Sequence, residues 1–199
     1  MGVATIREEA VDCVDFDALE EEARAKLPAP SFAFCATGAD DEITARENVT
    51  AWQRMRLRPH VLRDISNVDT SVRLLGSQVA TPIIIAPMGR HRMFHADGER
   101  ATARGATAAG ALYVFATSAN VLLEDAAAER GSAPQWFQLY MWADRNGLEP
   151  LIDRVAATGS RAIVLTVHNQ VYGSSPRQHR AQYVPSPDIR SVNMPGAPM

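Results

Sequence analysis

The stretch Thr81-Pro-Ile-Ile-Ile-Ala-Pro-Met-Gly-Arg-His-Arg-Met-Phe-His-Ala-Asp-Gly-Glu-Arg-Ala-Thr-Ala-Arg-Gly-Ala-Thr-Ala-Ala-Gly110 has the pattern of a strand, a loop and a helix. Ile83–Ile85 is a short β-branched run between prolines, which is typical of a strand buried on both faces of a parallel sheet. Residues 88–97 are too polar to be core. The Ala-rich segment 99–109 then ends at Gly110, as a helix packed closely on a sheet does. The stretch therefore predicts one β-loop-α unit.

Further strand and helix patterns follow at a regular spacing. A strand over 112–115 precedes a helix near 122–129, a strand over 136–140 precedes a helix over 148–157, and 162–167 is a fourth strand. The strands begin at residues 83, 112, 136 and 162, which are 24 to 29 residues apart, like successive βα units of an eight-stranded barrel. Because such a barrel needs roughly 200 to 250 residues, we predict an α/β fold that is the N-terminal half of a TIM (β/α)8 barrel.

Half a barrel leaves two sheet edges open, which proteins rarely tolerate. We therefore expect a C-terminal half-barrel chain or self-association to complete it. In this fold the loops after the strands carry the chemistry. The residues to inspect follow Ala86, Phe115, Tyr140 and Val167.

The chain is predicted to have three segments. Residues 1–80 hold N-terminal helices and short strands that floor the barrel, 81–167 hold the first four βα units, and 168–199, rich in Pro and Ser, form a long loop or mobile tail. Asp15 is the expected cap of the first helix. The elements predicted within the first segment are helices over 15–27, 31–38 and 41–52 and strands over 54–58, 71–75 and 78–80.

Composition excludes several classes of function. The chain has 199 residues, 46% of them hydrophobic, and a net charge of −3, so nothing favours binding to nucleic acid or an anionic membrane. Its start lacks the order of a secretory signal, and we expect a cytoplasmic protein. Cys13 and Cys35 are too few for a disulfide framework, and His168 with His179 lacks a third metal ligand. We expect no metal site.

Many segments resemble, in order and at nearly constant spacing, the FMN-dependent 2-hydroxy-acid oxidases and dehydrogenases, the group of glycolate oxidase, lactate oxidase and mandelate dehydrogenase. The resemblance covers about residues 15 to 183. The matching segments are Lys26–Pro28, Thr37–Glu42, Arg46–Asn48, Arg58-Pro59, Val61–Asp64, Pro82–Pro87, His95, Gly98-Glu99, Ala101–Arg104, Ala108–Gly110, Phe137–Tyr140, Asp144-Arg145 and Leu165–Val167.

The resemblance implies a set of cofactor-binding and substrate-binding residues. Pro87, Met88 and Gly89 are expected to place backbone against the reactive face of the FMN isoalloxazine, where a small residue permits close approach. Gln138 and Thr166 are expected at the polar edge of the ring, and Tyr140 is expected to offer its hydroxyl to a small-molecule 2-hydroxy acid. Each residue also has an ordinary structural explanation: Gly89 as a turn glycine, Gln138 and Tyr140 as a strand-end pair, and Thr166 as a β-former.

The chain departs from the family pattern at four places. Phe34 stands where the family has a substrate-binding Tyr, and Ala116 where a Ser contacts the flavin, with Thr117 beside it as a substitute. His168 replaces an Asp, and residues 173–176 replace a motif that contains a substrate-binding Arg. The lost hydrogen bonds between that Arg and the substrate carboxylate are worth about 1.5 to 3 kcal/mol. Arg177 or Arg180 is a speculative replacement.

The catalytic base of the family belongs to the second half of the barrel. Its second substrate Arg, its flavin-contacting Lys and its phosphate-binding loops lie there too. No histidine of this chain stands at the position of the base, so no catalytic residue is assigned.

Three hypotheses remain open. In the first, the chain supplies the flavin ring site and part of the substrate site of an oligomeric flavoenzyme that oxidises an (S)-2-hydroxy acid to a 2-oxo acid, and a missing half supplies the base. In the second, it is a non-catalytic, degenerate relative that binds itself or a partner. In the third, His168 or His179 serves as acid or base for another substrate.

Overall fold

The computed structural model describes residues 15–141, 145–168, 173–182 and 189–193. Predictions for Cys13 and Asp144 lie outside these residues. The described chain forms two compact units, one of residues 15–56 and 173–182 and the other of residues 57–141, 145–168 and 189–193. No helix within the described ranges is long and apolar enough to cross a membrane.

The first unit is helical. It contains α1 (Phe16–Lys26), α2 (Ala29–Ala36), α3 (Ile43–Arg54) and, from the distant segment, α7 (Pro176–Arg180). The predicted cap is confirmed, since Asp15 Oδ1 accepts hydrogen bonds from the main-chain N–H groups of Asp17 and Ala18. None of this unit's described residues is buried. The apolar side chains of Phe16 and Leu19 on α1 are therefore exposed.

The second unit is built on a parallel sheet. Its strands are β3 (Ile84–Ile85), β4 (Leu112–Ala116), β5 (Gln135–Tyr140) and β6 (Ile163–Thr166), hydrogen-bonded in that order. The connecting helices are α4 (Glu99–Ala108), α5 (Leu123–Arg130) and α6 (Leu148–Ala157). The observed order confirms the predicted series of βα units. The sequence could predict it because each strand is a short apolar run that ends before a polar loop.

Alternation along the strands divides the unit into two apolar layers. Tyr113, Phe115 and Phe137 face the helices, where they pack with alanines and leucines of α4, α5 and α6. Leu112, Val114 and their neighbours face the other way, against the hairpin of β1 (Val72–Leu74) and β2 (Ser77–Val79). The hairpin thus covers the inner face of the sheet, as a barrel floor does.

Two local predictions were wrong, and a third segment contains structure that the sequence did not indicate. Residues 54–58 are not a strand, because α3 continues to Arg54 and the chain beyond it is irregular. Ile83 is not buried on both faces but is 73% exposed, and Ile84 and Ile85 are half-buried, because β3 is an edge strand. Within the segment predicted as a long loop or mobile tail, the described residues include α7, which begins at Pro176, and a docked segment over 189–193.

The docked segment 189–193 packs on the loop between β4 and α5. Asn193 is 1% exposed. Its Oδ1 accepts a hydrogen bond from the Leu123 N–H at 2.9 Å, and its Nδ2 donates to the Val121 carbonyl at 3.0 Å. A side chain from the distant tail therefore serves the first turn of α5, which lacks a side-chain cap of its own.

Candidate functional site

Four of the sequence-predicted site residues lie at the carboxyl ends of adjacent strands. Ala116 pairs with Gln138 between β4 and β5, and Tyr140 pairs with Thr166 between β5 and β6. The alternation of β4 and β5 places these side chains on the inner face of the sheet, the face of Leu112 and Val114. Parallel pairing thus brings these residues together, although Ala116 and Thr166 are 50 positions apart in the sequence.

Gln138 is the centre of this edge. Its side-chain Nε2 donates to Thr166 Oγ1 at 2.7 Å, and its Oε1 accepts from the Thr117 N–H at 3.2 Å. The Thr117 hydroxyl donates to the Gln138 carbonyl oxygen, so it is already engaged with the main chain rather than placed as a simple replacement for the serine missing at Ala116. The amide of Gln138 is buried and oriented from both ends, which fixes the position of the Thr166 hydroxyl.

The loop after β3 meets the loop after β4 at Gly89. A Cβ placed on Gly89 comes within 2.1 Å of Ser118 Oγ and 2.8 Å of the Ser118 carbonyl oxygen. Only glycine fits this contact without displacing main chain. Beside it, Pro87 and Met88 are exposed and offer apolar surface at the same end of the strands.

A buried carboxylate lies behind this contact. Glu99, the first residue of α4, is 0% exposed, and its Oε1 accepts hydrogen bonds from the N–H groups of His91 and Asn120, both at 3.2 Å. The His91 Nδ1 lies 2.9 Å from Thr102 Oγ1. Burial lowers the pKa of His91 and outweighs the Glu99 carboxylate and the Met88 carbonyl, which raise it. Burial, reinforced by Glu99, also raises the pKa of Tyr113.

The remaining predicted residues are placed elsewhere or in other roles. Phe34 lies on α2 in the first unit and is half-buried. Arg177, considered as a replacement for the lost substrate Arg, is paired with Glu42 at 2.7 Å within that unit. His168 is exposed after β6, and no cluster of metal-ligating side chains occurs within the described ranges.

The inner edge of the sheet fits the ring of FMN. The Gln138 amide uses one of its two N–H bonds for Thr166, and the Thr166 hydroxyl is half-buried at the end of its strand. These groups suit the polar edge of an isoalloxazine, which presents both donors and acceptors. The Gly89 contact keeps the neighbouring loop free of a side chain beside them. The donor set therefore agrees with the flavin chemistry that the resemblance implies.

Sequence reasoning missed Ser118, Asn120 and Asn193. Ser118 and Asn120 lie in a short loop whose composition predicts only a turn, and their partners outside the docked tail segment are 21 to 29 positions away. Asn193 falls in a tail without periodicity. The sequence offered one signal, which is Glu99 in a matched motif at the start of a helix. A carboxylate that becomes buried there needs hydrogen-bond donors, and neighbouring loops supply them.

Comparison with known proteins gives matches to one protein family over most of the chain. The profile of the family described as FMN-dependent dehydrogenase matches residues 23–198. Human 2-hydroxyacid oxidase 2 is 42% identical over 157 residues, which are 79% of this chain and 44% of that protein. Glycolate oxidase 1 of Oryza sativa subsp. indica is 38% identical over 174 residues, 87% of this chain and 47% of that protein.

The fold is also that of solved flavoprotein structures. The crystal structure of a mandelate oxidase superposes with a TM-score of 0.85 at 35% identity, and the match covers 90% of this chain and 52% of that one. This confirms that the chain has the fold of about half of an α/β barrel. It spans about half the length of the curated relatives that it matches.

Proposed function

Because the chain belongs to the family of FMN-dependent dehydrogenases, we propose that it supplies the ring-binding part of an FMN site and part of the substrate site of an enzyme that oxidises an (S)-2-hydroxy acid to a 2-oxo acid. FMN is the cofactor that membership of this family implies. The observation that carries the proposal is the shared inner edge of Ala116, Gln138, Tyr140 and Thr166, set by strand register. Relatives named for 2-hydroxy-acid and glycolate oxidation support the reaction class.

Each residue of the edge has a physical role in the proposal. FMN supplies the acceptor for the two electrons that leave the substrate. Thr166, oriented by Gln138, would donate a hydrogen bond to an acceptor on the polar edge of bound FMN, and the second N–H of Gln138 would support the same edge. Such fixed donors stabilise negative charge that develops during reaction. Pro87, Met88 and Gly89 form the wall beside the reactive face.

Tyr140 contributes to the substrate side. It ends β5 next to Thr166 and is half-buried. In the proposal its hydroxyl donates to the substrate carboxylate or hydroxyl. The base that takes the hydroxyl proton is supplied by the other half of the barrel, since no histidine of this chain matches its position.

A second half-barrel is the proposed partner. The match covers 44% and 47% of two relatives, which are therefore about twice as long as the matched region. The outer face of β6 supports the same conclusion, since Ile163 and Leu165 are 44% and 48% exposed. A helix from the next βα unit is the element that covers this face in such a barrel. We further propose that the complete barrel is oligomeric.

Anaerobic flavin bleaching tests the proposal. The purified protein, with any polypeptide that accompanies it, is mixed with glycolate, (S)-lactate or (S)-mandelate while the visible flavin absorption is recorded. We expect bleaching by at least one of the three and a rate at least tenfold lower in Gln138→Leu, about 1.4 kcal/mol of lost stabilisation. The exposed variant Gln53→Leu is the control. Flavin that none of these acids bleaches would contradict the proposed reaction.

A non-catalytic, degenerate family member is the second candidate. Phe34 supports it, because the hydroxyl expected at this position is missing, and so does the first unit, none of whose described residues is buried. In this reading the uncovered apolar surface binds a second copy or another protein. A flavin-free protein that self-associates would favour it.

A further inference from the structure

We propose that Glu99 is a positioning residue of the FMN site, which holds the loop 87–92 against the loop 117–120 through one buried carboxylate oxygen. The inference rests on the proposed function, because it concerns the wall beside the flavin ring. It adds a residue that touches neither the ring nor the substrate but acts through the main chain of the two loops that form that wall.

The hydrogen bonds around Glu99 join the two loops at two points. Glu99 Oε1 accepts from His91 N–H in the first loop and from Asn120 N–H in the second, at 3.2 Å each. Asn120 Oδ1 then accepts from Arg92 N–H at 3.3 Å. The hydrogen bonds of Glu99 and the hydrogen bond between Asn120 and Arg92 lie close together. Neither loop can therefore shift without breaking a hydrogen bond in this region.

The same loops touch at the wall itself. Gly89 lies against Ser118 so closely that a Cβ there comes within 2.8 Å of the Ser118 carbonyl oxygen. Only two positions separate Gly89 from His91, and two separate Ser118 from Asn120. Because Glu99 fixes the distance between the two loops, it also fixes how closely Gly89 approaches Ser118. It thereby fixes the main chain that is proposed to lie beside the ring.

Burial makes the arrangement stiff. Glu99 is 0% exposed, Asn120 is 1% exposed, and His91 is buried against them. The Glu99 Oε2 atom is also buried, without a hydrogen-bond partner within the described part of the chain. Burying a carboxylate is costly unless hydrogen bonds or an opposite charge compensate it. Two main-chain donors and the start of α4 are the groups that offset its charge.

The network also reaches the docked tail segment. Asn120 Nδ2 donates to the Arg190 carbonyl at 2.9 Å. Asn120 therefore bonds to both Glu99 and Arg92 and to the segment 189–193, whereas the described hydrogen bonds of Glu99 go to the two loops. Substitution of Glu99 is the cleaner test, since it leaves the tail contact in place.

The test compares three variants of the full chain, purified with any polypeptide that accompanies it. Glu99→Ala removes the acceptor, and Glu99→Gln keeps an acceptor oxygen while removing the charge. Leu151→Ala opens a cavity in the helix-facing layer and lowers the unfolding temperature without removing a hydrogen bond between the two loops. The readouts are amide hydrogen exchange at His91 and Asn120, the dissociation constant for FMN by fluorescence titration, and the visible spectrum of bound FMN.

We expect exchange at both amides to be about tenfold faster in Glu99→Ala, and the FMN dissociation constant to rise about tenfold with a shifted spectrum. Glu99→Gln is expected to restore both within about threefold. Leu151→Ala is expected to lose stability and keep the wild-type spectrum. FMN binding by Glu99→Ala that matches the wild type would overturn this inference alone. A wild-type protein that binds no FMN would overturn the proposed function and this inference together.

Discussion

Gly89 shows how the absence of one side chain sets the distance between two loops. Its main chain packs directly on Ser118, and the resemblance gives the same residue a second reason to be small, the approach of a flavin ring. The two reasons are separable. The Ser118 contact affects the folded protein whether or not FMN is bound, whereas the ring contact affects only FMN affinity.

Gly89→Ala is predicted to lower the free energy of unfolding by about 1 to 3 kcal/mol, because the new methyl group overlaps Ser118. Chemical denaturation of the flavin-free protein measures this loss. Gly105→Ala is the matched control, since a Cβ at Gly105 meets open space in α4 and alanine favours the helix by about 0.5 to 1 kcal/mol. Combining Gly89→Ala with Ser118→Gly should recover part of the loss. A fully stable Gly89→Ala protein would contradict the described loop contact.

His91 gives the protein a predicted pH dependence. Its folded-state pKa lies below the ordinary value because of burial, while the unfolded ring titrates near about 6.5. Below that pH the unfolded chain binds the proton first, so the stability present above it falls as the pH decreases. We expect the thermal midpoint to fall between pH 7 and 5 and His91→Gln to flatten this slope. An identical slope in the variant would show that the buried ring does not titrate differently on folding.

At the scale of elements, the tail and α5 form one structural unit despite their separation in sequence. Asn193 serves the first turn of α5, and Arg154 of α6 donates to the Asn193 carbonyl at 3.3 Å. Arg154 is also paired with both oxygens of Glu124 in α5. The segment 189–193 thus joins two helices of the outer layer.

Asn193→Ala is predicted to destabilise the fold by about 1 to 3 kcal/mol, because the buried N–H of Leu123 and carbonyl of Val121 lose their partners. Asn193→Asp keeps the acceptor for Leu123 and is expected to lose less. Asn67→Ala changes an exposed asparagine and serves as the control. Urea denaturation measures all three. Equal stability of Asn193→Ala and Asn67→Ala would mean that the tail contact contributes nothing.

The sequence predicted most strands and helices because their signals are local. Leu148–Ala157 has its apolar residues on one face, and Asp15 is a side-chain cap directly before its helix. The inner-edge residues were found only through a family pattern, because Gln138 and Thr166 are ordinary strand residues when taken singly. Asn193 was not found, since its partners lie 70 positions away and no short-range pattern marks them.

At the scale of the whole molecule, the described sheet contains only part of the strands of a barrel, and β6 is one of its edges. Within the described ranges, β6 pairs with a strand on one side only. Ile163 and Leu165 of β6 and Val167 after it are exposed, and so are Leu57, Val61 and Leu62 before the hairpin. Groups of exposed apolar residues mark interaction surfaces, and these surfaces agree with the proposed second half-barrel.

Leu165→Lys is predicted to prevent association with the second half-barrel, because it places a charge on the face that a helix of that half covers. The free energy of unfolding of the chain alone should change by less than about 0.5 kcal/mol, since Leu165 is 48% exposed. Ile152→Lys, on α6, is the control for a charge added elsewhere. Sedimentation of the two variants measures association. Unchanged association in Leu165→Lys would place the partner on another surface.

Native mass spectrometry of the purified protein, followed by denaturation of the same sample, tests most directly whether this chain is the ring-binding half of a completed FMN barrel. The proposal predicts that the 21.7 kDa chain is found with a second polypeptide and a mass that matches FMN, and that denaturation releases both. A chain found alone or only self-associated, with no flavin released on denaturation, would contradict it.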